Sequence, residues 1–251
     1  RAGAMALSWS MDKIGPICRL AEDCALVFNA IHGADGGDGT AFTDITAVTQ
    51  PFIWLPQIDI TKLRIGYIQS AFAEEGDTKA AGEATLDTLR QMGACLIPIE
   101  LPRYPIEAMG LILQAEAAAA FDELTRSNQD NLLVRQSQDA WPNVFRQARL
   151  ITAVEYIQAN RIRTLVMQEM AGLLDEVDLY IAPSKVGDNM LLTNLTGHPA
   201  VVLPNGLSPA GIPNSSLTLT GNLYDEATIL AVARALQQAT DFHEKRPLLE
   251  A

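Results

Sequence analysis

Two short apolar runs, residues 63–68 and 95–99, flank a segment of helical periodicity that ends near Met92 and is followed by Gly93. Strand, helix and strand at this spacing make a βαβ unit. Its strands must lie parallel and its crossover must be right-handed, which prunes the available folds more than any other feature of the chain. Asp77 is placed to cap the start of the helix and Gly93 to end it. Pro98 and Pro102 close the second strand.

The remaining pattern is also α/β. Leu20, Cys24, Val27, Phe28 and Ile31 recur at helical spacing, with Gly33 as the stop. Residues 33–61 form a long irregular stretch; the Asp35-Gly36-Gly37-Asp38-Gly39 run inside it lacks the alternating ligands of an EF-hand and reads as a turn. Ile106, Met109, Leu113, Ala117, Ala120 and Leu124 make one apolar stripe, and Ile151, Val154, Ile162, Leu165, Val166 and Leu173 a longer one. The polar residues 127–139 between them read as a surface connection. Further strands are expected at 177–182, 200–203 and 215–220, with residues 184–196 as a loop. Asp225 opens a last helix. The predicted architecture is α/β, residues 1–251 forming a single domain around a mixed sheet.

A net charge of −12, with no Lys/Arg-rich run, argues against a nucleic-acid partner. No segment approaches the roughly 18 consecutive apolar residues of a membrane span, and no secretory signal is visible. The three cysteines, Cys18, Cys24 and Cys95, fall at no metal spacing. They predict free buried thiols in a reducing cytoplasm, with no metal and no cofactor.

Few residues suggest chemistry by themselves. No G-x-S-x-G elbow, H-E-x-x-H, S-x-x-K or Walker loop occurs. Ser184-Lys185 is the one adjacent hydroxyl and amine, but neighbouring side chains on an extended segment point apart. His32, His198 and His243 are scattered; His198, in Thr196-Gly197-His198-Pro199, is expected in a buried turn in a hydrogen-bonding role. Asp188 and Asn189 follow a strand's carboxyl end, the edge where open α/β sheets bind ligands, and are substrate-pocket candidates. Arg149, placed at the inward start of the long helix, is a third, able to pair a carboxylate bidentately.

The segment Ser8-Trp9-Ser10-Met11-Asp12-Lys13-Ile14-Gly15-Pro16 resembles the closing S-x-D-x-x-G-P of the amidase signature family. Ala115-Glu116-Ala117 with Asp122-Glu123-Leu124 resembles that family's A-E-A…D-E-L helix. Val177-Asp178 with Pro183 resembles its V-D-x-x-x-x-P strand, and Asn194, Gly197 and Pro199 its N-x-x-G-x-P-A turn. Gly211, Pro213, Asp225 and Glu226 are similar to its closing pattern, with Asn214-Ser215-Ser216 as a departure where an apolar strand start is usual.

The resemblance implies an α/β/α sandwich around a mixed sheet. It also implies metal-free cleavage of carboxylic amides through a serine acyl-enzyme. In that family the nucleophile, the cis-serine, the lysine and the oxyanion loop precede the S-x-D-x-x-G-P segment. By that comparison this chain supplies no catalytic residue, and Ser10, Asp12, Gly15, Pro16, Asn194, Gly197 and Pro199 have structural roles. A small-molecule amide would bind only with the upstream segment, supplied in the same chain or in trans; self-association is the other expected contact. The alternative is a free-standing, non-catalytic domain that binds a partner chain through an open sheet edge.

Overall fold

The computed structural model describes residues 4–33, 51–76, 78–184, 187–207 and 213–246. The expected cap Asp77, the 35–39 turn, Lys185 and Gly211 lie outside the described residues.

The βαβ unit forms as its hydrophobic runs predict. Strand β1 (Arg64–Ile68) pairs in parallel with β2 (Cys95–Ile99), Arg64 opposite Cys95. A short helix α2 (Gln69–Ala73) and the crossover helix α3 (Lys79–Gln91) join them. Gly93 turns the chain between α3 and β2 at φ 84°, a left-handed conformation that glycine reaches without a side-chain penalty. Strand β3 (Leu179–Pro183) adds to β1 in parallel. Beyond it β5 (Pro213–Gly221) and β4 (Ala200–Leu207) pair antiparallel, giving a mixed sheet in the order β2-β1-β3-β5-β4. Both of these last strands run longer than their apolar cores. Their mutual ladder continues past those cores, setting Pro204 opposite Ser216 and Leu207 opposite Pro213, with an irregularity around Gly206.

Every residue of the central strand β3 is buried, and its alternation builds two cores. Leu179 and Ile181 face a layer containing α1 (Ala21–Ile31), α3 and α9 (Glu226–Ala239). Tyr180 and Ala182 face the other layer, made from α4 (Leu111–Ala120), α7 (Ala153–Glu176) and α8 (Asn189–Thr196). Helices on both faces of one mixed sheet make the expected α/β/α sandwich. Asp225 caps α9 as expected, accepting from the Thr228 N–H at 3.3 Å. No helix among the described residues is long and apolar enough to cross a membrane.

Three expectations are corrected. Residues 189–196 form helix α8, not loop: Leu192 and Leu195, at i and i+3, are buried together, and Gly197 at φ 83° ends the helix. The long helix turns only part of the expected stripe inward: Val166 is buried, with Ile162 and Leu173 packed against the core cluster that also holds Ala159, Met170 and Leu174, while Val154 and Leu165 stay exposed. The cysteines are not uniformly buried, since Cys18 and Cys95 are exposed and only Cys24 is half-buried.

Candidate functional site

The S-x-D-x-x-G-P segment folds as a tight turn packed on the helical layer. The Asp12 N–H donates to the Ser8 carbonyl at 3.0 Å, and Asp12 Oδ2 accepts from the Leu7 N–H at 2.8 Å. Met11 drops into the core beside Met109 and Ile112, while Ser8 is wholly buried. Such a turn needs partners for its hydroxyls and backbone groups once water is gone.

Two helices supply them. Glu116, on the buried face of α4, accepts from Ser8 Oγ at 2.5 Å and the Ser10 N–H at 3.0 Å through Oε2, and from Ser10 Oγ at 2.6 Å through Oε1. The Tyr156 hydroxyl on α7 donates to the same Oε1 at 2.9 Å. Two turns further along α7 on that face, Arg163 spreads its guanidinium over the segment, donating to Ser10 Oγ and the Ser10 carbonyl at 2.7 Å each. Its Nε donates to the Leu195 carbonyl near the end of α8. The segment is thereby fixed to α4 and α7, and Arg163 in turn ties it to α8.

The electrostatics follow from this packing. Burial pushes the Glu116 carboxyl upward, but the Ser10 and Ser8 hydroxyls, the Ser10 N–H and Tyr156 outweigh it and hold the group below its ordinary value. Burial lowers Arg163, opposed by the charge of Glu116, and raises the Tyr156 phenol, with the Glu116 contact adding to the rise.

A second cluster lies where α8 leads into β4. Lys13 Nζ donates to the His198 carbonyl at 2.9 Å. His198 Nδ1 meets Thr196 Oγ1 at 2.8 Å, and that hydroxyl spends its proton on the Leu192 carbonyl at 2.9 Å. The hydroxyl can only accept from the ring, so the network assigns the proton of the neutral imidazole to Nδ1. Burial, reinforced by the nearby Lys13 charge, depresses His198 to about 4. The Lys13 ammonium is crowded by surrounding chain, which lowers it to about 8.

The pocket candidates separate. Asp188 lines an open cavity of about 600 Å³ at the carboxyl ends of the parallel strands, with Ile68, Ala71, Leu101, Tyr104 and Leu192. Asn189, next in sequence, is buried and accepts from the Tyr180 hydroxyl at 2.8 Å. Arg149 ends helix α6 (Trp141–Ala148) before the long helix starts, and its guanidinium pairs with Asp122. Of the motif residues, Ser10 and Asp12 shape the turn, Gly197 ends α8, and the Pro199 carbonyl accepts from the Gly221 N–H at 3.2 Å. Asn194 is half-buried on α8. Gly15 has open space at its α-carbon, and Pro16 presents its carbonyl to Cys24. Among the described residues no group of three or more His, Cys, Asp or Glu could hold a metal ion.

Sequence reasoning missed Tyr156, Arg163 and Lys13 as partners of the segment. The available signal was a Tyr and an Arg seven apart on a helical face that also carries Ala159 and Val166, where a polar residue needs a buried partner.

A model of the amidase family matches residues 1–190. The chain belongs to the amidase signature family. It is 32% identical over 292 residues to the A subunit of the glutamyl-tRNA(Gln) amidotransferase of Chloroflexus aggregans, covering 98% of this chain and 58% of that protein. The protein of the same name from Oceanobacillus iheyensis is 31% identical, with 99% and 59% covered. This amidase-family chain therefore spans under three fifths of the length of these relatives. Among solved structures, an amidase family protein from Bacillus anthracis superposes with a TM-score of 0.77 at 19% identity, over 98% of this chain and 52% of that one. The peptide amidase of Stenotrophomonas maltophilia does so with a TM-score of 0.71 at 22% identity, over 98% and 57%. At these identities the structural likeness speaks for the fold.

Proposed function

We propose that this chain is the C-terminal portion of an amidase signature hydrolase that cleaves carboxylic amides through a serine acyl-enzyme, with the Ser–cis-Ser–Lys segment lying outside these 251 residues. The observation that carries the reading is the state of Ser8 and Ser10. Ser8 is sealed from any substrate, and the hydroxyls of both residues are committed to Glu116. A nucleophile needs a base able to take its proton, and a carboxylate held below its usual range is a weak one. The Glu116–Arg163 frame instead anchors the end of the signature, so that an upstream segment would enter against a fixed platform. Asp188 contributes pocket wall in this account, and Asn189 supports it from within through Tyr180. The substrate is a small-molecule amide bound once the upstream segment is present, and the setting is the cytoplasm. The test is an amide-hydrolysis panel on the 251-residue chain, for which no turnover is expected.

A second reading, a non-catalytic domain that pairs with another chain, is favoured by one feature. Strand β4 is a sheet edge with Val202 59% exposed, and α7 shows a second apolar stripe at Val154, Ile157 and Leu165. Open edges and apolar faces drive association. The first reading takes the same surface as one that an upstream segment would cover, so under it the isolated chain is expected to self-associate with rising concentration in sedimentation velocity, or to do so until an upstream segment is added in trans. A clean monomer at high concentration, with a cooperative melt and no dye-binding apolar surface, would contradict this and favour an independent domain.

A further inference from the structure

A second cavity, of about 430 Å³, opens on the face of the sheet that carries α1, α3 and α9. Its walls include Leu203, Leu217 and Leu236, members of the core packed on that side. Ile68, Ala71, Ile106 and Leu192 of the Asp188 cavity belong to the other core. Leu207 and Phe242 extend the apolar lining. The volume falls within the range of small-molecule sites, about 300–1,000 Å³.

The polar side chains among its described residues are engaged, with one exception. Thr85 Oγ1 meets Asn205 Oδ1 at 2.6 Å, and Asn205 Nδ2 donates to the Ala81 carbonyl at 3.3 Å. The Thr88 and Thr240 hydroxyls turn back to the Ala84 and Leu236 carbonyls at 2.8 and 2.9 Å. Gln237 accepts from the Ala21 N–H at 2.8 Å and donates to the Arg19 carbonyl at 3.2 Å. Asp241, the one carboxylate among the described lining residues, pairs with Lys245 at 2.8 Å. The exception is His243. Its side chain is only 11% exposed, and its Nδ1 is buried without a hydrogen-bond partner. Such an atom costs free energy until something bonds it. The Arg19 guanidinium donates to the His243 carbonyl at 2.6 Å, which fixes the backbone that carries the ring.

We propose that this cavity binds a neutral, largely apolar molecule bearing one hydroxyl, an aryl alcohol, at a site separate from the Asp188 cavity. The apolar lining takes the ring and removes its surface from water. The hydroxyl takes His243 Nδ1. It is both donor and acceptor, so it serves either arrangement of the ring proton, accepting from an Nδ1–H or donating to the bare nitrogen. Among the described residues no Lys or Arg lines the cavity and its carboxylate is already paired, so an ionic ligand finds no counter-charge there.

The test is to titrate the 251-residue protein with 4-ethylphenol, and with 4-ethyltoluene as its isostere without the hydroxyl, by isothermal titration calorimetry, and to map the site by amide hydrogen exchange. The expected result is saturable one-to-one binding of 4-ethylphenol, with exchange slowed at residues 203–207 and 236–243. In His243→Phe the ratio of the two affinities should shift against the phenol by about three- to tenfold. Ala84 is exposed on α3 and lines the cavity, so Ala84→Trp should fill it and abolish binding of both compounds. Melting curves of the two variants show that a lost affinity is not a lost fold, and the saturation and the map on the wild-type protein need no variant. Binding that does not saturate, protection at residues 68–74 and 100–106 instead, or a ratio unchanged in His243→Phe would overturn the proposal.

Discussion

Replacing Glu116 with alanine is expected to destabilise the chain more than any other single change at the signature turn. The carboxylate accepts from Ser8, from Ser10 twice, and from Tyr156. Truncation leaves the Ser8 hydroxyl without an acceptor inside the core and takes from Arg163 its nearest opposing charge. The stranded Ser8 donor and the lost hydrogen bonds to a charged acceptor together cost about 3 kcal/mol. For a protein of this size that corresponds to a fall in Tm of about 6–12 °C. Glu116→Gln keeps the shape but turns an amide N–H₂ toward groups that also donate, so it should fall between alanine and wild type. An unchanged melt for Glu116→Ala would show that the network is decorative.

The second large effect is in acid. His198 is almost fully buried and titrates near 4 in the fold, against 6.5 for a free histidine. Its folded value is depressed, so the unfolded chain takes up the proton first as pH falls. Stability is unaffected by this group above 6.5 and is lost as pH drops from 6.5 toward 4, by about 3 kcal/mol at about 1.36 kcal/mol for each pH unit. Glu116 adds a second loss at lower pH. Its folded value lies below the ordinary 4.5, so its contribution is full above 4.5 and disappears as pH falls through the folded value. His198→Asn can keep the hydrogen bond to Thr196 without a titrating ring. Chemical denaturation at a series of pH values should show a flatter dependence between 6.5 and 4 in that variant than in wild type. Equal slopes would remove His198 from the account.

The sheet was legible because its strands announce themselves twice, by apolar runs and by the glycines and prolines that bound them. Gly93 marks the end of α3 and the start of β2. Helix α8 was hidden because its eight residues are mostly Thr, Asn and Leu, a composition that reads as turn when Leu192 and Leu195 are not weighed as a face. The phase of α7 was ambiguous for another reason. Over its 24 residues, apolar side chains occupy an inward face and a second, exposed stripe, and periodicity alone does not say which is core.

At the site, the motif around Ser10 was visible but its support was not. Arg163 lies 153 residues from Ser10, and no local pattern encodes a contact made only when α7 crosses the signature turn. Arg149 illustrates the converse. A lone guanidinium near a helix start carries no label for its partner, and here that partner is Asp122, on the short helix that follows α4.

The most direct test of the central claim is the hydrolysis of aliphatic and aryl amides by the purified 251-residue chain, with and without Ser8→Ala and Ser10→Ala. The account predicts no turnover in any of the three proteins, because both hydroxyls serve Glu116 and the acyl-forming serine lies in another segment. Turnover that is abolished by either substitution would contradict it, placing the nucleophile within the signature turn itself.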